Sequence, residues 1–191
     1  LANLCQAKVI TIDTSINGFY PTAEQIKNVI TPKTKAIMIC SPNNPTGTMI
    51  PSDELEKIAK VIVENQIWCI SDEIYCELAY EDSKHISVGS FPGMKDHAII
   101  LNGFSKSFAM TGWRLGYACA PKLILEQMLK IHQFAIMCAP TTSQYAAVTA
   151  LRHCDGAVQE MKEAYNQRRR FVLNAFKEMG LQCFEPRGAF Y

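Results

Sequence analysis

The sequence predicts an α/β fold: a mostly parallel sheet sandwiched by helices. Short apolar runs of strand length, KAIMIC (35–40), IWCI (67–70) and HAIIL (97–101), recur along the chain, and each stops abruptly near polar residues. Longer stretches between and after them place apolar residues at helical spacing. The clearest is DELEKIAKVIVEN (53–65), with Leu55, Ile58, Ala59, Ile62 and Val63 on one stripe. Strands that alternate with helices favour a parallel sheet covered on both faces.

In chain order, KVITI (8–12) is a short β-branched run, and 18–21 interrupts the chain. Thr22 with Gln25 three residues on is a capping-box pattern, which predicts a helix through Ile30. KAIMIC reads as a buried parallel strand ended by SPNNPTG; a helix follows from Ser52, and IWCI then stops at SDEIY. Residues 82–96 have little periodicity and carry Gly89, Pro92 and Gly93, so they read as a loop. HAIIL leads into LNGFSKSFAMTGWRLGY (101–117), from which a further apolar run, LGYACA, leads out. From Pro121 the period changes to helical: 122–134, then 142–153 after the break at Ala139 and Pro140, then a long amphipathic helix over 157–179. Gly180 ends that helix, and its Arg168–Arg170 cluster reads as a solvated face rather than a nucleic-acid site. LQCFEPRGAFY (181–191) begins another unit.

With 191 residues, a net charge of +1 and 48% hydrophobic residues, the chain can bury a sizeable core and has no electrostatic bias toward nucleic acid or membrane. No apolar run reaches the length of a membrane span, and LANLCQAKVI lacks the basic start and apolar centre of a signal peptide. These features predict a soluble cytoplasmic protein. The absent initiating methionine and the ending at Tyr191 read as a piece of a longer polypeptide. The eight cysteines are scattered without a C-x-x-C pair and read as reduced, buried thiols; the four histidines form no ligand-like cluster.

In open α/β sheets, ligands bind beyond the carboxyl ends of the strands. KAIMIC is followed by Asn43 and Asn44, IWCI by Asp72, Glu73 and Tyr75, and HAIIL by Lys106. If LGYACA runs antiparallel, Arg114 just before it reaches the same edge. Desolvation disfavours an ammonium, and a neutral amine forms a Schiff base with a carbonyl; the planar fork of an arginine suits a phosphate. Lys106 and Arg114, eight residues apart, therefore suggest a cofactor carrying both an aldehyde and a phosphate. A carboxylate such as Asp72 beyond a buried strand needs a cationic or hydrogen-bonding partner, and a protonated pyridine nitrogen serves. Taken singly, Asp72 also reads as a helix N-cap, Asn44 as a turn residue, Lys106 as a solvated loop residue and Arg114 as a surface charge. Chance explains the joint pattern much less easily.

SPNNPTG, SDEIY and NGFSKSFAMTGWRLGY, in this order and spacing, resemble the class I and II aminotransferases, fold type I enzymes dependent on pyridoxal 5'-phosphate. The resemblance spans nearly the whole chain and is closest to the group containing bacterial aspartate and aromatic aminotransferases. It implies a partial cofactor-binding large domain over 1–180, including the interdomain helix, and the start of the smaller C-terminal domain over 181–191. Lys106 is implied to form the Schiff base and later move the substrate α-proton, and Asp72 to hold the pyridine nitrogen protonated. Tyr75 and Asn44 are implied to bind the phenolic oxygen of the ring, and Arg114 the phosphate. Many members carry a phosphate-binding serine three residues before the lysine, where this chain has Gly103; Ser105 stands next to the lysine. The family's upstream phosphate cradle and its downstream carboxylate-clamping arginine have no counterpart here, which predicts that these 191 residues alone do not transaminate. The implied substrates are an amino acid and a 2-oxo acid, and the implied assembly of the parent is a homodimer. The same residues also serve β-eliminating lyases and the ligand-sensing domains of some transcription regulators.

Overall fold

A computed structural model describes residues 2–191. Its four strands, β1 (Ala36–Cys40), β2 (Trp68–Asp72), β3 (Ala98–Gly103) and β4 (Gly116–Cys119), lie in one sheet in sequence order. β1, β2 and β3 run parallel, and β4 returns antiparallel to β3. The α/β class with a mostly parallel sheet is therefore as predicted. The run 8–12 adds no strand: Val9 and Ile10 are both 55% exposed, and strand propensity is realised only where a neighbouring strand pairs with it.

Helix α1 (Ala23–Val29) begins with the predicted capping box, in which the Gln25 N–H donates to Thr22 Oγ1 and Gln25 Oε1 accepts from the Thr22 N–H. It is tied to α2 (Ser52–Glu64) by the Ala23 N–H, which donates to Glu54 Oε1 at 2.7 Å. That hydrogen bond, with help from Lys57, lowers the Glu54 carboxyl below its ordinary range. The apolar stripe of α2 packs on one sheet face, burying Leu55, Ile58 and Ile62 against Ile39, Cys69, Val88 and Met94. Each such aliphatic side chain contributes about 1.5–3 kcal/mol by leaving water. Burial pushes the Cys69 thiol up to about 12, which leaves it a packing group.

The prediction of buried thiols fails elsewhere: Cys5, Cys119, Cys138 and Cys183 are exposed, although all eight cysteines are free. β1 is likewise less buried than its apolar sequence predicts. It is an edge strand whose Ile39 faces α2, whereas Met38 on the other face is 68% exposed.

Three helices complete the chain: α3 (Lys122–Ala135), α4 (Thr141–His153) and α5 (Asp155–Glu178). α4 packs Ala147 and Ala150 on Phe104 and Met110, and α5 packs Met161 and Tyr165 on Tyr75 and Leu78. The turn after α5 places Gly180 at φ +72°, a left-handed conformation that glycine adopts without penalty.

The basic cluster of α5 is only partly a solvated face. The Arg169 side chain is 6% exposed and donates to Glu81, Glu185, Asn166 Oδ1 and the Pro186 carbonyl, with its guanidinium over the Tyr80 ring. Arg168 and Arg170 remain exposed. Arg169 thus clasps α5 to the segment after β2 and to the tail. Arg169→Ala is expected to lower unfolding free energy by about 2–4 kcal/mol, because a buried hydrogen-bonded charge is removed and its neutral partners are left unsatisfied. Arg169→Lys should restore only part, since an ammonium lacks the fork that reaches several acceptors together. Urea titration of both variants checks this.

Candidate active site

The strand register aligns the polar residues. Cys40 pairs with Asp72, Asp72 with Leu101, and Gly103 with Gly116, so the carboxyl ends of β1 to β3 and the amino end of β4 share one edge. Beyond β1, Asn43 Oδ1 accepts from Thr46 Oγ1 at 2.8 Å and its carbonyl from the Gly47 N–H at 2.9 Å, closing a turn that presents the exposed Asn44. Asn44 lies near enough to Tyr75 to favour its ionised form.

Beyond β2, Asp72 Oδ1 accepts from the Ile74 N–H at 3.1 Å, while Oδ2 takes no protein donor among the described residues. Asp72 thus caps a turn rather than the helix read from the sequence, because the chain does not continue into a helix here, and one carboxylate oxygen is left available. The turn so fixed buries Tyr75, whose hydroxyl lies 2.9 Å from that of Tyr191. Burial, reinforced by Tyr191, pushes the Tyr75 phenol well above its ordinary value, while Asn44 pulls the other way. Tyr75 is therefore a protonated donor throughout the neutral range.

Lys106 follows β3 on a tight turn in which the N–H groups of Phe108 and Met110 both donate to the Phe104 carbonyl. It is half-buried, with Nζ 5.7 Å from the Tyr75 ring centroid and 5.3 Å from that of Phe190. Phe190 in turn stacks on Tyr165 at 5.5 Å. Next to the lysine, the buried Ser107 hydroxyl has no hydrogen-bond partner, an unusual state for a polar atom out of water.

Arg114 is exposed and left-handed at φ +53°, and its Nη1 donates to the Thr111 carbonyl at 2.9 Å. It opens on a cleft of about 420 Å³ lined also by Ala109, Trp113, Pro140 and Ser143. The antiparallel β4 puts it on the ligand edge, as the sequence reading required. The side chains nonetheless fall into two groups: Lys106, Tyr75 and Asn44 cluster together, and Arg114 faces a neighbouring cleft whose lining does not include Lys106.

Gly103 has a structural explanation. A Cβ there would lie 3.0 Å from both Gly116 Cα and the Leu115 carbonyl, so β3 and β4 approach too closely to admit a side chain. Gly103→Ser is therefore expected to cost about 1–3 kcal/mol by forcing the strands apart. A thermal melt of the variant checks this, and an unchanged melting temperature would show that the strands give way freely.

Two features go beyond or against the sequence reading. Phe190 and Tyr191 reach Lys106 and Tyr75 from the chain's far end, and only a glycine turn followed by two aromatics hinted at them. Glu73, adjacent to Asp72, points to the opposite sheet face, as alternation along a strand dictates. There it is 3% exposed, accepts from Ser71, Ser87 and the Val88 N–H, and lies 3.0 Å from His85 Nε2. It straps the 85–90 segment beneath the site. Among the described residues no cluster of His, Cys, Asp or Glu has metal-binding geometry.

A family model described as aminotransferase class I and II matches residues 1–191. The chain belongs to this family. The aminotransferase chain is 47% identical to a putative aminotransferase, YugH, of Bacillus subtilis, over 93% of its own length and 46% of that protein's. It is 46% identical to an aspartate aminotransferase of Pyrococcus abyssi, over 92% and 46% respectively. The crystal structure of an aromatic aminotransferase from Pyrococcus horikoshii superposes with a TM-score of 0.92 at 41% identity, covering 96% of this chain and 50% of that one. The chain thus spans about half the length of the aminotransferases it matches.

Proposed function

We propose that the protein built on this chain is a pyridoxal phosphate-dependent aminotransferase that moves an amino group between an amino acid and a 2-oxo acid. The observation that carries this reading is the placement of the Lys106 amine against the Tyr75 ring, with Asp72 offering a free carboxylate oxygen on the same strand-end row. The residues fit the cofactor. Asp72 Oδ2 would pair with a protonated ring nitrogen, the Tyr75 hydroxyl and Asn44 amide would hold the phenolic oxygen, and Arg114 would take the phosphate. The unpartnered Ser107 hydroxyl supports a polar group binding nearby. When bound, pyridoxal phosphate supplies an aldehyde for the lysine amine and a cationic ring that withdraws electrons from the substrate α-carbon.

The chain's own residues then perform three tasks. Lys106 Nζ would hold the cofactor and take and return the substrate α-proton, its approach restricted by the rings of Tyr75 and Phe190. Asp72 would keep the ring nitrogen charged, and Tyr75 would keep its hydroxyl proton as a fixed donor. We further propose that residues 1–180 are part of the cofactor-binding domain and that 181–191 open a smaller one. The relatives' activities on aspartate and aromatic amino acids support that substrate class.

Adding pyridoxal phosphate to the purified protein and then borohydride tests the reading. A pyridoxyl group fixed on the peptide containing Lys106, found by mass spectrometry, supports it; fixation on other lysines only overturns it. Release of ammonia and pyruvate by the full chain without a 2-oxo acid would instead identify a lyase.

A further inference from the structure

We propose that Tyr191 is a positioning residue for Tyr75: its hydroxyl aims the Tyr75 hydroxyl at the cofactor oxygen beside Lys106. The inference rests on the function proposed above and adds a residue that the motif reading did not include.

Its first support is the way the chain delivers Tyr191. The N–H groups of Arg187 and Gly188 both donate to the Gly47 carbonyl at 2.9 Å, which docks the tail on the turn that presents Asn44. The Ala189 N–H donates to the Leu78 carbonyl at 2.8 Å, and the Tyr80 N–H to the Arg187 carbonyl at 3.0 Å, which docks it equally on the turn that presents Tyr75. Arg169 holds the Pro186 carbonyl, and the Tyr80 hydroxyl the Ala189 carbonyl. No slack remains at the crossing. A Cβ on Gly47 would lie 2.4 Å from Pro186 Cβ, and one on Gly188 would lie 2.6 Å from Pro42 Cβ. A segment bonded on both sides and packed without room for a methyl group has one position, and Phe190 and Tyr191 follow from it.

The second support is what surrounds the Tyr75 hydroxyl. Tyr191 reaches it from the tail, Lys106 from beyond β3 stands with Nζ 5.7 Å from the Tyr75 ring centroid, and Asn44 and Cys40, at and beyond the end of β1, act on its charge. Asp72 lies on the same strand-end row. Of these, Tyr191 is a hydroxyl at 2.9 Å that can accept or donate without carrying charge. In the pair either hydroxyl can donate; once a cofactor oxygen accepts the Tyr75 proton, Tyr191 would turn to donate to the Tyr75 oxygen, and linked hydroxyls polarise one another to make the terminal donor stronger. A donor to a phenolate stabilises that anion, which favours loss of the proton shared with the neighbouring nitrogen.

The test is the visible spectrum of the protein–pyridoxal phosphate complex titrated with pH, in wild type, Tyr191→Phe, Tyr75→Phe and the double variant. Tyr191→Phe should raise the midpoint of the spectral transition by about half a pH unit, in the same direction as Tyr75→Phe and by less. The double variant should match Tyr75→Phe alone, because Tyr191 acts through Tyr75. Cofactor affinity and melting temperature of Tyr191→Phe should stay close to wild type, since Tyr191 is 48% exposed and the ring is retained. An unchanged midpoint in Tyr191→Phe, or additive shifts in the double variant, overturns the proposal. Absence of a lysine-bound chromophore from wild type would instead overturn the proposed function, so the two failures are distinct.

Discussion

Lys106→Ala is expected to abolish the borohydride-fixable chromophore and to lower transamination by the whole protein built on this chain at least about 10³-fold, because one amine supplies both the covalent attachment and the proton transfer. Alanine removes the ammonium from its position over the Tyr75 and Phe190 rings, a contact worth about 0.5–2 kcal/mol. Stability should therefore change little, and the two effects separate cleanly. The absorbance of wild type and variant with added pyridoxal phosphate, before and after reduction, reads the first. Steady-state rates with amino acid and 2-oxo acid pairs read the second. A variant that still fixes pyridoxyl at equal yield would remove Lys106 from its assigned role.

Asp72→Asn should lower the rate on the order of 10²–10³-fold while leaving the chromophore in place. Asparagine retains an oxygen for the Ile74 N–H, so the turn that places Tyr75 keeps its cap. What is lost is the negative charge that would hold the ring nitrogen protonated, and with it the electron withdrawal that makes the α-proton removable. The expected signature is a fall in kcat and in the exchange rate of the substrate α-proton, with stability within about 0.5 kcal/mol of wild type. A variant with normal proton exchange would show that the ring nitrogen finds its partner elsewhere.

Local signals read well in this chain. The capping box of Thr22 and Gln25, the stripe of α2 and the abrupt ends of three short apolar runs all reflect interactions within a few residues. Each appears as an element close to its predicted bounds. The row of strand ends that carries Asn44, Asp72 and Lys106 was readable for the same reason, because parallel strands place their carboxyl ends together. What depended on distant partners was not readable. Val9 and Ile10 carry strand-forming side chains that pair with no strand among the described residues, and Met38 lies on the sheet face that α2 leaves open. Arg169 resembles its two exposed neighbours in sequence, and only the approach of Glu81 and Pro186 makes it a buried clasp. Tyr75 and Tyr191 meet across 116 residues, a separation no periodicity records.

The Arg169 clasp also makes α5 a lever. The helix is a rigid rod of 24 residues pinned near its middle to the segment after β2 and to the tail. Tyr165 stands one turn from the pin and carries the ring on which Phe190 stacks, beside the Lys106 amine. A tilt of about 10° about Arg169 would move Tyr165 by about 1 Å and Glu178, on the far side, by about 2 Å in the opposite sense. Small displacements at the outer end of α5 are thus geared down and delivered to the wall of the lysine site.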